Sequence, residues 1–548
     1  MTVEEAFAAA YGQQQAGHWE EAGRLYRRIL ASGDHYPEVH YNLGVVDRRA
    51  GRLEAAAESY QRALALKPDF PEAENNLGNV LRALWRVDEA AAAFRRAVAL
   101  RPGFGDAWSN LGATLKNQGR LDEAVACLER AVELQPESAA LHSNLVAALH
   151  YQDGCAPAAI AREQRRWSER HAAPRRAAIP AHDHDRAPER RLRIGYVSAG
   201  FCEQCQSFFT VPLLAHHDHV RHGIFCYSDV AAPDALTVRL QAGADVWRNI
   251  AGYSDGQAAR QIREDRIDIL VDLTLHMANN RLPMFALKPA PLQVTWLGFP
   301  GSTGMEAMDY RFTDRWLDPP GLNEEFYAER SLRLPDCFWC YDPLAAGPPV
   351  NALPAELAGW VTFGCLNNFS KVNAGVLARW ARVLRAVPGS RLLLLAPPGE
   401  TRSWVTSELG IDASRIEFVD FQPRPRYLET YHRIDLCLDT FPYNGHTTSL
   451  DAFWMGVPVV SRAGRTAVSR AGLSQASNLG LPELVADDDD GFVALAAGLA
   501  GDRPRLAELR ATLRGRMEAS PLMDGARFAR GMEWAYRTIW REWAVREK

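Results

Sequence analysis

The sequence lacks any apolar run long enough for a membrane span, which needs roughly 18 uninterrupted apolar residues. Its start, MTVEEAFAAAYG, has neither a basic segment nor a long apolar one, so we expect no signal peptide. It also lacks a basic excess: the net charge is −5, which argues against a nucleic-acid binder. Nine cysteines without an export signal predict reduced thiols. We therefore expect a cytoplasmic protein without a membrane or nucleic-acid partner.

Recognisable nucleotide and metal motifs are missing as well. Neither G-x-G-x-x-G nor G-x-x-x-x-G-K-[ST] occurs, so dinucleotide and P-loop sites are disfavoured. Two C-x-x-C pairs, starting at Cys202 and Cys337, are too far apart in sequence for a compact zinc module. The run His182–Asp183–His184–Asp185 lies in a Pro- and Arg-rich linker, where we expect solvated charge. The sequence predicts no metal site.

A repeat of 34 residues fills the first part of the chain. Asn-Leu recurs at Asn42, Asn76, Asn110 and Asn144, and alanines and large apolar residues recur at the same interval. These offsets let two antiparallel helices pack and the next pair stack on them, which is the tetratricopeptide (TPR) pattern. The pattern predicts a superhelical array that binds a protein or peptide. The alternative is a spacer or a homodimerisation arm.

From Arg191 onward, apolar strand-like runs alternate with helical stretches. Continuous Val/Ile/Leu runs separated by helices predict parallel strands covered on both faces. A break near 345–359 separates two such sets, so we expect two Rossmann-like units. The apolar stripe of the last helix indicates packing rather than a binding face. The predicted strands are Leu192–Ser198, Gly223–Ser228, Ile267–Leu273, Leu292–Phe299, Trp360–Leu366, Arg391–Ala396, Ile434–Asp439 and Val457–Ser461.

Two loops of the second set carry anion-binding chemistry. FPYNGHTTSLDAFWMGVP (441–458) places His446 and Thr447 after a strand and before a helix, and Thr448 to Asp451 fits a capping box. CLNNFSKVN (365–373) also follows a strand, and Lys371 can reach a phosphate as a point charge. One cationic loop and one hydroxyl-rich loop at a helix N-terminus suit a diphosphate. Between them, Arg424 and Tyr427 are candidates for stacking on a flat base.

The chain resembles the nucleocytoplasmic protein O-GlcNAc transferase and SPINDLY family. The matching segments include RLRIGYVS, KPAPLQVTWLGFPGSTG, MDYRFTD, LNNFSK, CLDTFPYNGHTTSLDAFWMGVPVV and SPLMDGARFARGMEWAYRTIW, spread over nearly all of residues 191–541. The resemblance implies a GT-B glycosyltransferase of two Rossmann-like domains behind the TPR superhelix, an α + α/β chain. It also implies transfer of a sugar to protein hydroxyls with inversion, no metal ion, and no cofactor besides UDP-GlcNAc as co-substrate.

The resemblance also assigns boundaries and roles. We expect TPR repeats in 1–150, a helix and linker in 151–190, an acceptor-side lobe in 191–350, a nucleotide-sugar lobe in 351–520 and a final packing helix in 521–548. Lys371 resembles the lysine that neutralises the leaving diphosphate. The donor-binding positions by resemblance are Asn368, Gln422, Arg424, Tyr427, His446, Thr447, Thr448 and Asp451.

The chain departs from the family in the loop after the first strand. The O-GlcNAc transferases read D-F-x-x-H there, whereas this chain has Gly200 in place of the Asp and Gln204 in place of the His. Gln can donate a hydrogen bond but cannot take up a proton at neutral pH. Asp265 occupies the place of a carboxylate proposed for proton relay, with a helix-end charge as its alternative role. We therefore keep Lys371, Gln204 and Asp265 as catalytic candidates.

Three functions remain open on the sequence alone. The first is transfer of GlcNAc from UDP-GlcNAc to Ser or Thr of proteins held by the TPR groove. The second is SPINDLY-like protein O-fucosylation from GDP-fucose, favoured by ANNR (278–281), RLPDCFWCY and the C-terminal segment. The third is a TPR adaptor with a degenerate transferase domain, suggested by Gln204.

Overall fold

The computed structural model describes residues 2–179 and 181–545, which divide into two compact units. One unit runs up to Leu145 and includes Ala396–Trp404; the other contains Val146–Leu395 and the residues from Val405 onward. Among the described helices, none combines the length and the apolar character that crossing a membrane requires.

The first unit is the predicted array of antiparallel helix pairs. The alanines and large residues of the repeat are buried as expected, and a Cβ added at Gly78 would lie 2.7 Å from the Phe94 ring. Small residues therefore let paired helices approach closely, as the TPR pattern requires. The helices are α1 (Val3–Gln15), α2 (Trp19–Ser32), α3 (Pro37–Arg49), α4 (Leu53–Leu66), α5 (Pro71–Ala83), α6 (Val87–Leu100), α7 (Gly105–Asn117), α8 (Leu121–Leu134) and, at its end, α9 (Ala139–Leu149).

The second unit contains two parallel sheets, which confirms the two Rossmann-like lobes. The first sheet has the order β3-β2-β1-β4-β5-β6-β7, and all of its pairs are parallel. Its four central strands coincide with the apolar runs of the sequence. Strands β3, β6 and β7 were not predicted. The strands are β1 (Leu192–Ser198), β2 (His222–Ser228), β3 (Val246–Asn249), β4 (Ile269–Asp272), β5 (Leu292–Thr295), β6 (Tyr310–Thr313) and β7 (Arg330–Arg333).

The second sheet repeats this strand order as β10-β9-β8-β11-β12-β13, again with parallel pairs only. In both sheets successive strands are first added on one side of the first strand and then on its other side. The change of side, or switch point, lies between β1 and β4 in the first sheet and between β8 and β11 in the second. Ligands of open α/β sheets bind at such switch points, beyond the carboxyl ends of the strands. The strands are β8 (Thr362–Cys365), β9 (Arg391–Leu395), β10 (Ile416–Val419), β11 (Leu436–Leu438), β12 (Val459–Arg462) and β13 (Val485–Ala486).

Helices cover the sheets, and the last one packs against the first sheet's lobe. In α23 most of the apolar stripe is buried, including Phe528, Met532 and Ile539, whereas Trp534 is 50% exposed; the buried part agrees with a packing role. The helices are α10 (Pro157–His171), α11 (Ser207–Leu214), α12 (Ala235–Gln241), α13 (Asp255–Glu264), α14 (Leu282–Phe285), α15 (Pro354–Ala358), α16 (Ala374–Ala386), α17 (Glu400–Leu409), α18 (Arg424–Thr430), α19 (Thr447–Trp454), α20 (Ala471–Asn478), α21 (Asp489–Gly501), α22 (Arg503–Glu518) and α23 (Gly525–Ala544).

The linker before β1 differs from its prediction as solvated charge. Asp183 is exposed, but the ring nitrogens of His184 are buried, and burial lowers the pKa of His182 to about 4. Alternate residues of the extended segment point inward, so the two imidazoles pack against the lobe while the carboxylates face solvent. The prediction was wrong for the histidines because it treated the whole segment as unpacked.

Candidate active site

The two anion-binding loops meet at the switch point of the second sheet. One follows β8 and ends at Lys371, and the other follows β11 and ends at His446. Because β8 and β11 are paired neighbours, their carboxyl ends open at one place. The structure therefore brings the predicted lysine and the predicted helix N-terminus together.

Lys371 is partly buried and held in one position. Its Nζ donates a hydrogen bond to the Asn444 carbonyl at 2.7 Å and lies 4.3 Å from the centre of the Tyr443 ring. Burial lowers the pKa of Lys371 to about 8, and the nearby Asp439 carboxylate opposes that shift. An ammonium with little water around it interacts strongly with any anion that approaches, since the local dielectric is low.

Asp439, at the end of β11, shapes the loop below the lysine. Its carboxylate accepts hydrogen bonds from the N–H groups of Thr440 (2.8 Å) and Gly445 (2.7 Å) and from the Ser461 hydroxyl (2.6 Å). A Cβ at Gly445 would lie 2.1 Å from the Ser449 hydroxyl, so the loop passes close over the helix start only because this residue has no side chain. Sequence reasoning missed Asp439, although a carboxylate ending a buried strand was a visible signal.

The start of α19 is open rather than capped. His446 occupies the N-cap position and makes no side-chain cap, which leaves the N–H groups of the first turn available to an anion. Burial and the nearby charge of Lys371 lower the pKa of His446 well below its ordinary value, so its imidazole is neutral. The predicted capping box from Thr448 to Asp451 is wrong because Asp451 faces other partners.

Asp451 lies at the centre of a network that joins the two lobes. The buried carboxylate accepts hydrogen bonds from Arg424 (2.8 Å), Tyr427 (3.1 Å) and Tyr341 (2.5 Å). Tyr341 lies near the end of the first lobe, and the centre of the Phe208 ring, also of that lobe, lies 4.1 Å from the Arg424 guanidinium carbon. Three predicted donor-binding residues therefore form one cluster. Tyr341 and Phe208 were not predicted, since nothing in their local sequence marks them.

Four other predicted residues occupy different positions around the loops. Thr448 donates its hydroxyl to the amide oxygen of Asn367, a buried residue that was not predicted. Asn368, the residue after Asn367, is exposed and caps the short turn Phe369–Lys371 instead. Thr447 is the first residue of α19. Gln422 accepts a hydrogen bond from Thr430 at 3.3 Å, outside the Asp451 cluster.

The loop after β1 faces the lysine from the other lobe. Cys205 lies close enough to Lys371 for the two groups to affect each other's pKa, and Gln204 beside it is exposed. A Cβ at Gly200 would lie 2.1 Å from Gln204 Nε2 and 2.0 Å from Gln206 Oε1. The two departures from the family motif are therefore linked: the glycine makes room for the glutamine side chains.

We expect Gly200→Asp to lower the free energy of unfolding by about 1–3 kcal/mol, since the new side chain must displace both glutamines. Gly223→Ala is a matched control, because its nearest neighbour would lie at an ordinary 3.5 Å. Urea unfolding measures both variants. Equal stability of the two would show that the glutamines move aside at no cost.

The structure does not bring Asp265 to this site. It follows α13, and its carboxylate is held by Arg248 (2.7 Å) and the Tyr227 hydroxyl (2.8 Å). Its carbonyl accepts a hydrogen bond from Arg193, at the beginning of β1. The candidate site lies at the carboxyl ends of the strands, whereas Asp265 lies toward their amino ends. It serves there as a helix-end charge in an ion pair.

Comparisons with known proteins agree with the fold. The model of glycosyl transferase family 41 matches residues 167–345 and 352–532, and TPR models match residues 46–84 and 81–149. A solved mutant of the Thermobaculum terrenum O-GlcNAc transferase superposes with a TM-score of 0.86 and 37% identity, covering 93% of this chain and 98% of that one.

Curated relatives from plants match about two thirds of the chain. A Petunia hybrida protein described as a probable UDP-N-acetylglucosamine–peptide N-acetylglucosaminyltransferase SPINDLY is 40% identical over 66% of this chain. The Arabidopsis thaliana protein SEC, with the same probable activity, is 29% identical over 64% of it. The matches span only 40% and 37% of those relatives' lengths. With a TPR array ahead of two Rossmann-like lobes, the chain belongs to glycosyl transferase family 41 and is similar to the O-GlcNAc transferases and the SPINDLY proteins.

Proposed function

We propose that the chain transfers GlcNAc from UDP-GlcNAc to Ser or Thr hydroxyls of proteins bound by its TPR array, with inversion and without a metal ion. The observation that supports this most is the pairing of Lys371 with the open N-terminus of α19 at the switch point. That arrangement suits the two phosphates of a nucleoside diphosphate. The Asp451 cluster beside it offers charged and aromatic groups to the nucleoside.

The chemistry needs little covalent help from the protein. The acceptor hydroxyl attacks the anomeric carbon from the face opposite the diphosphate, and the bond from that carbon to the phosphate oxygen breaks. Negative charge develops on the leaving diphosphate, and the hydroxyl proton passes to an oxygen of that diphosphate or to water. An ammonium and helix N–H groups already in place stabilise that charge. Gln204 can orient the hydroxyl by hydrogen bonding but cannot hold its proton.

A second candidate is protein O-fucosylation from GDP-fucose. It is favoured by the segments ANNR (278–281) and RLPDCFWCY and by the C-terminal segment, which resemble SPINDLY proteins. Calorimetry with UDP and with GDP separates the two donors. We expect binding of UDP; tight GDP binding without a UDP signal would overturn the assignment of UDP-GlcNAc.

Transfer itself is tested with radiolabelled UDP-GlcNAc and GDP-fucose in the presence of a protein lysate. Label on protein Ser or Thr from UDP-GlcNAc is the expected result. Nucleotide binding without label from either donor, also after Gln204→His, would leave the TPR adaptor as the function.

The pH dependence of the transfer rate should follow the protonation of Lys371. Because burial sets the pKa of Lys371 near 8, the ammonium is present below that pH and lost above it. We expect kcat/KM to fall as pH rises through about 8, and kcat to fall at higher pH, since bound diphosphate raises the lysine pKa. Steady-state rates across this range measure both. A kcat/KM that stays constant to pH 10 would contradict the role of this ammonium.

A further inference from the structure

The lobe of the second sheet carries a surface groove at the end opposite to the candidate active site. The groove has a volume of about 600 Å³, and ligand-binding clefts measure roughly 300–1,000 Å³. It lies at the amino ends of β8, β9 and β10, whereas the diphosphate loops lie at the carboxyl ends. Its exposed charged and large apolar residues are Leu357, Trp360, Arg391, Glu417 and Arg433.

The register of the sheet places Trp360 beside Arg391. Thr362, the first residue of β8, pairs with Arg391, the first residue of β9, and the Arg391 N–H donates to the Val361 carbonyl at 2.9 Å. Trp360 stands two residues before Thr362, and the centre of its ring lies 3.9 Å from the Arg391 guanidinium carbon. This cation–π contact holds the guanidinium over the ring, while the N–H groups at its edge stay directed away from the ring.

The charge of Arg391 is not neutralised by a neighbour. Among the residues that the structure describes, no carboxylate forms an ion pair with Arg391. The other two charges of the groove cancel, because Arg433 pairs with Glu417; these side chains are 49% and 52% exposed. The His432 ring is engaged with the Pro349 carbonyl at 2.8 Å. Within the described part of the chain, the groove therefore has a positive excess, which favours an anionic partner.

Exposed apolar surface lines the same groove. Leu357 is 94% exposed and Trp360 is 37% exposed, although both are large apolar side chains. Exposed apolar patches mark interaction sites, and Trp and Arg are the residues most enriched among those that contribute strongly to protein binding. A matching occupant carries an apolar group for Leu357 and Trp360 and an acidic group for the N–H groups of Arg391.

We propose that this groove binds a polypeptide segment in which apolar side chains stand next to Asp or Glu. The carboxylate pairs with the Arg391 guanidinium, and the apolar side chain covers Leu357 and the exposed part of Trp360. Single-stranded nucleic acid suits the groove less, because it brings one phosphate per nucleotide against a single unpaired base. The proposal does not depend on sugar transfer, since the groove and the donor site lie at opposite ends of the strands.

Fluorescence anisotropy on the full chain tests the proposal. The probes are labelled peptides of the sequences GLEFEG, GLKFKG and GSESEG and a labelled single-stranded oligonucleotide. We expect GLEFEG to bind more tightly than the other three probes and to weaken as salt rises, because its carboxylates meet an exposed cation. Saturating UDP should not displace it; displacement would place the peptide in the donor site and overturn the proposal.

Variants of exposed residues locate the peptide. Arg391→Ala should weaken GLEFEG binding about tenfold, since a charged hydrogen-bond donor is lost. Arg391→Lys should restore part of it. Leu357→Ser should weaken binding about fivefold, and its side chain is too exposed for the fold to depend on it. Glu417→Ala leaves Arg433 without its partner and should strengthen binding about two- to fivefold.

Arg382→Ala is the matched control, because it removes an exposed base of the same lobe that pairs with Asp490 outside the groove. We expect it to leave GLEFEG binding unchanged. The proposal is overturned by equal binding of GLKFKG, by unchanged binding after Arg391→Ala, by weaker binding after Glu417→Ala, or by tighter binding of the oligonucleotide. None of these measurements requires sugar transfer, so a failed transfer assay would contradict the proposed function alone.

Discussion

Replacing Lys371 by Ala is expected to slow sugar transfer by about 100- to 1000-fold. The Nζ group lies beside the first turn of α19 and over the Tyr443 ring, where few water molecules could substitute for it. Charge on a departing diphosphate would then be met only by helix N–H groups. Initial rates with labelled donor and an acceptor protein measure the loss, and calorimetry with the nucleoside diphosphate should show weaker binding.

Two control variants make the Lys371 result specific. Lys371→Arg keeps the charge but changes the donor geometry, so we expect partial activity. Arg382→Ala removes an exposed base of the same lobe that pairs with Asp490, and we expect unchanged rates. If Lys371→Ala keeps full donor affinity and turnover, the diphosphate does not lie at this lysine.

Replacing Asp318 by Ala is expected to lower the free energy of unfolding by about 3–5 kcal/mol. Asp318 and Arg311 form an ion pair at 2.7 Å in which both side chains are 1% exposed or less. Arg311 also donates to the Gly301 carbonyl at 2.9 Å, in the loop after β5. Removing the carboxylate leaves a buried guanidinium unpaired and loosens a loop at the carboxyl edge of the first sheet. Urea or thermal unfolding measures the loss.

An exposed ion pair supplies the comparison for Asp318. Glu417 pairs with Arg433 while both side chains are about half exposed, so Glu417→Ala should cost less than about 1 kcal/mol. A similar small cost for Asp318→Ala would show that the buried pair is not needed to hold Arg311 in place.

The sequence was most informative where a strand is buried on both faces. The run Leu192–Ser198 coincides with β1 residue for residue, because both of its faces are covered and six of its seven residues are buried. Strands β6 and β7 were missed, since YRFT and RSLR are short and contain arginines whose partners lie elsewhere in the chain. From the sequence alone Arg311 would be predicted to lie on the surface. In the structure it is buried, and its charge is paired with Asp318.

In the candidate site, too, some residues could be predicted from the sequence and others could not. Lys371, His446 and Thr447 could be placed because each stands in a loop between an apolar run and a helix. The partners of Asp451 could not, because Tyr341 comes from a segment 110 residues away and no local pattern records that contact. The choice between Asn367 and Asn368 likewise depends on one backbone turn, which directs the first amide toward Thr448 and the second toward the backbone N–H of Ser370.

The most direct test is a crystal structure of the chain soaked with UDP and, separately, with GDP. We expect the phosphates of at least one nucleotide within hydrogen-bond distance of Lys371 Nζ and of the N–H groups of Thr447 and Thr448. Phosphates bound at any other place, or neither nucleotide at the start of α19, would contradict the assignment of this site.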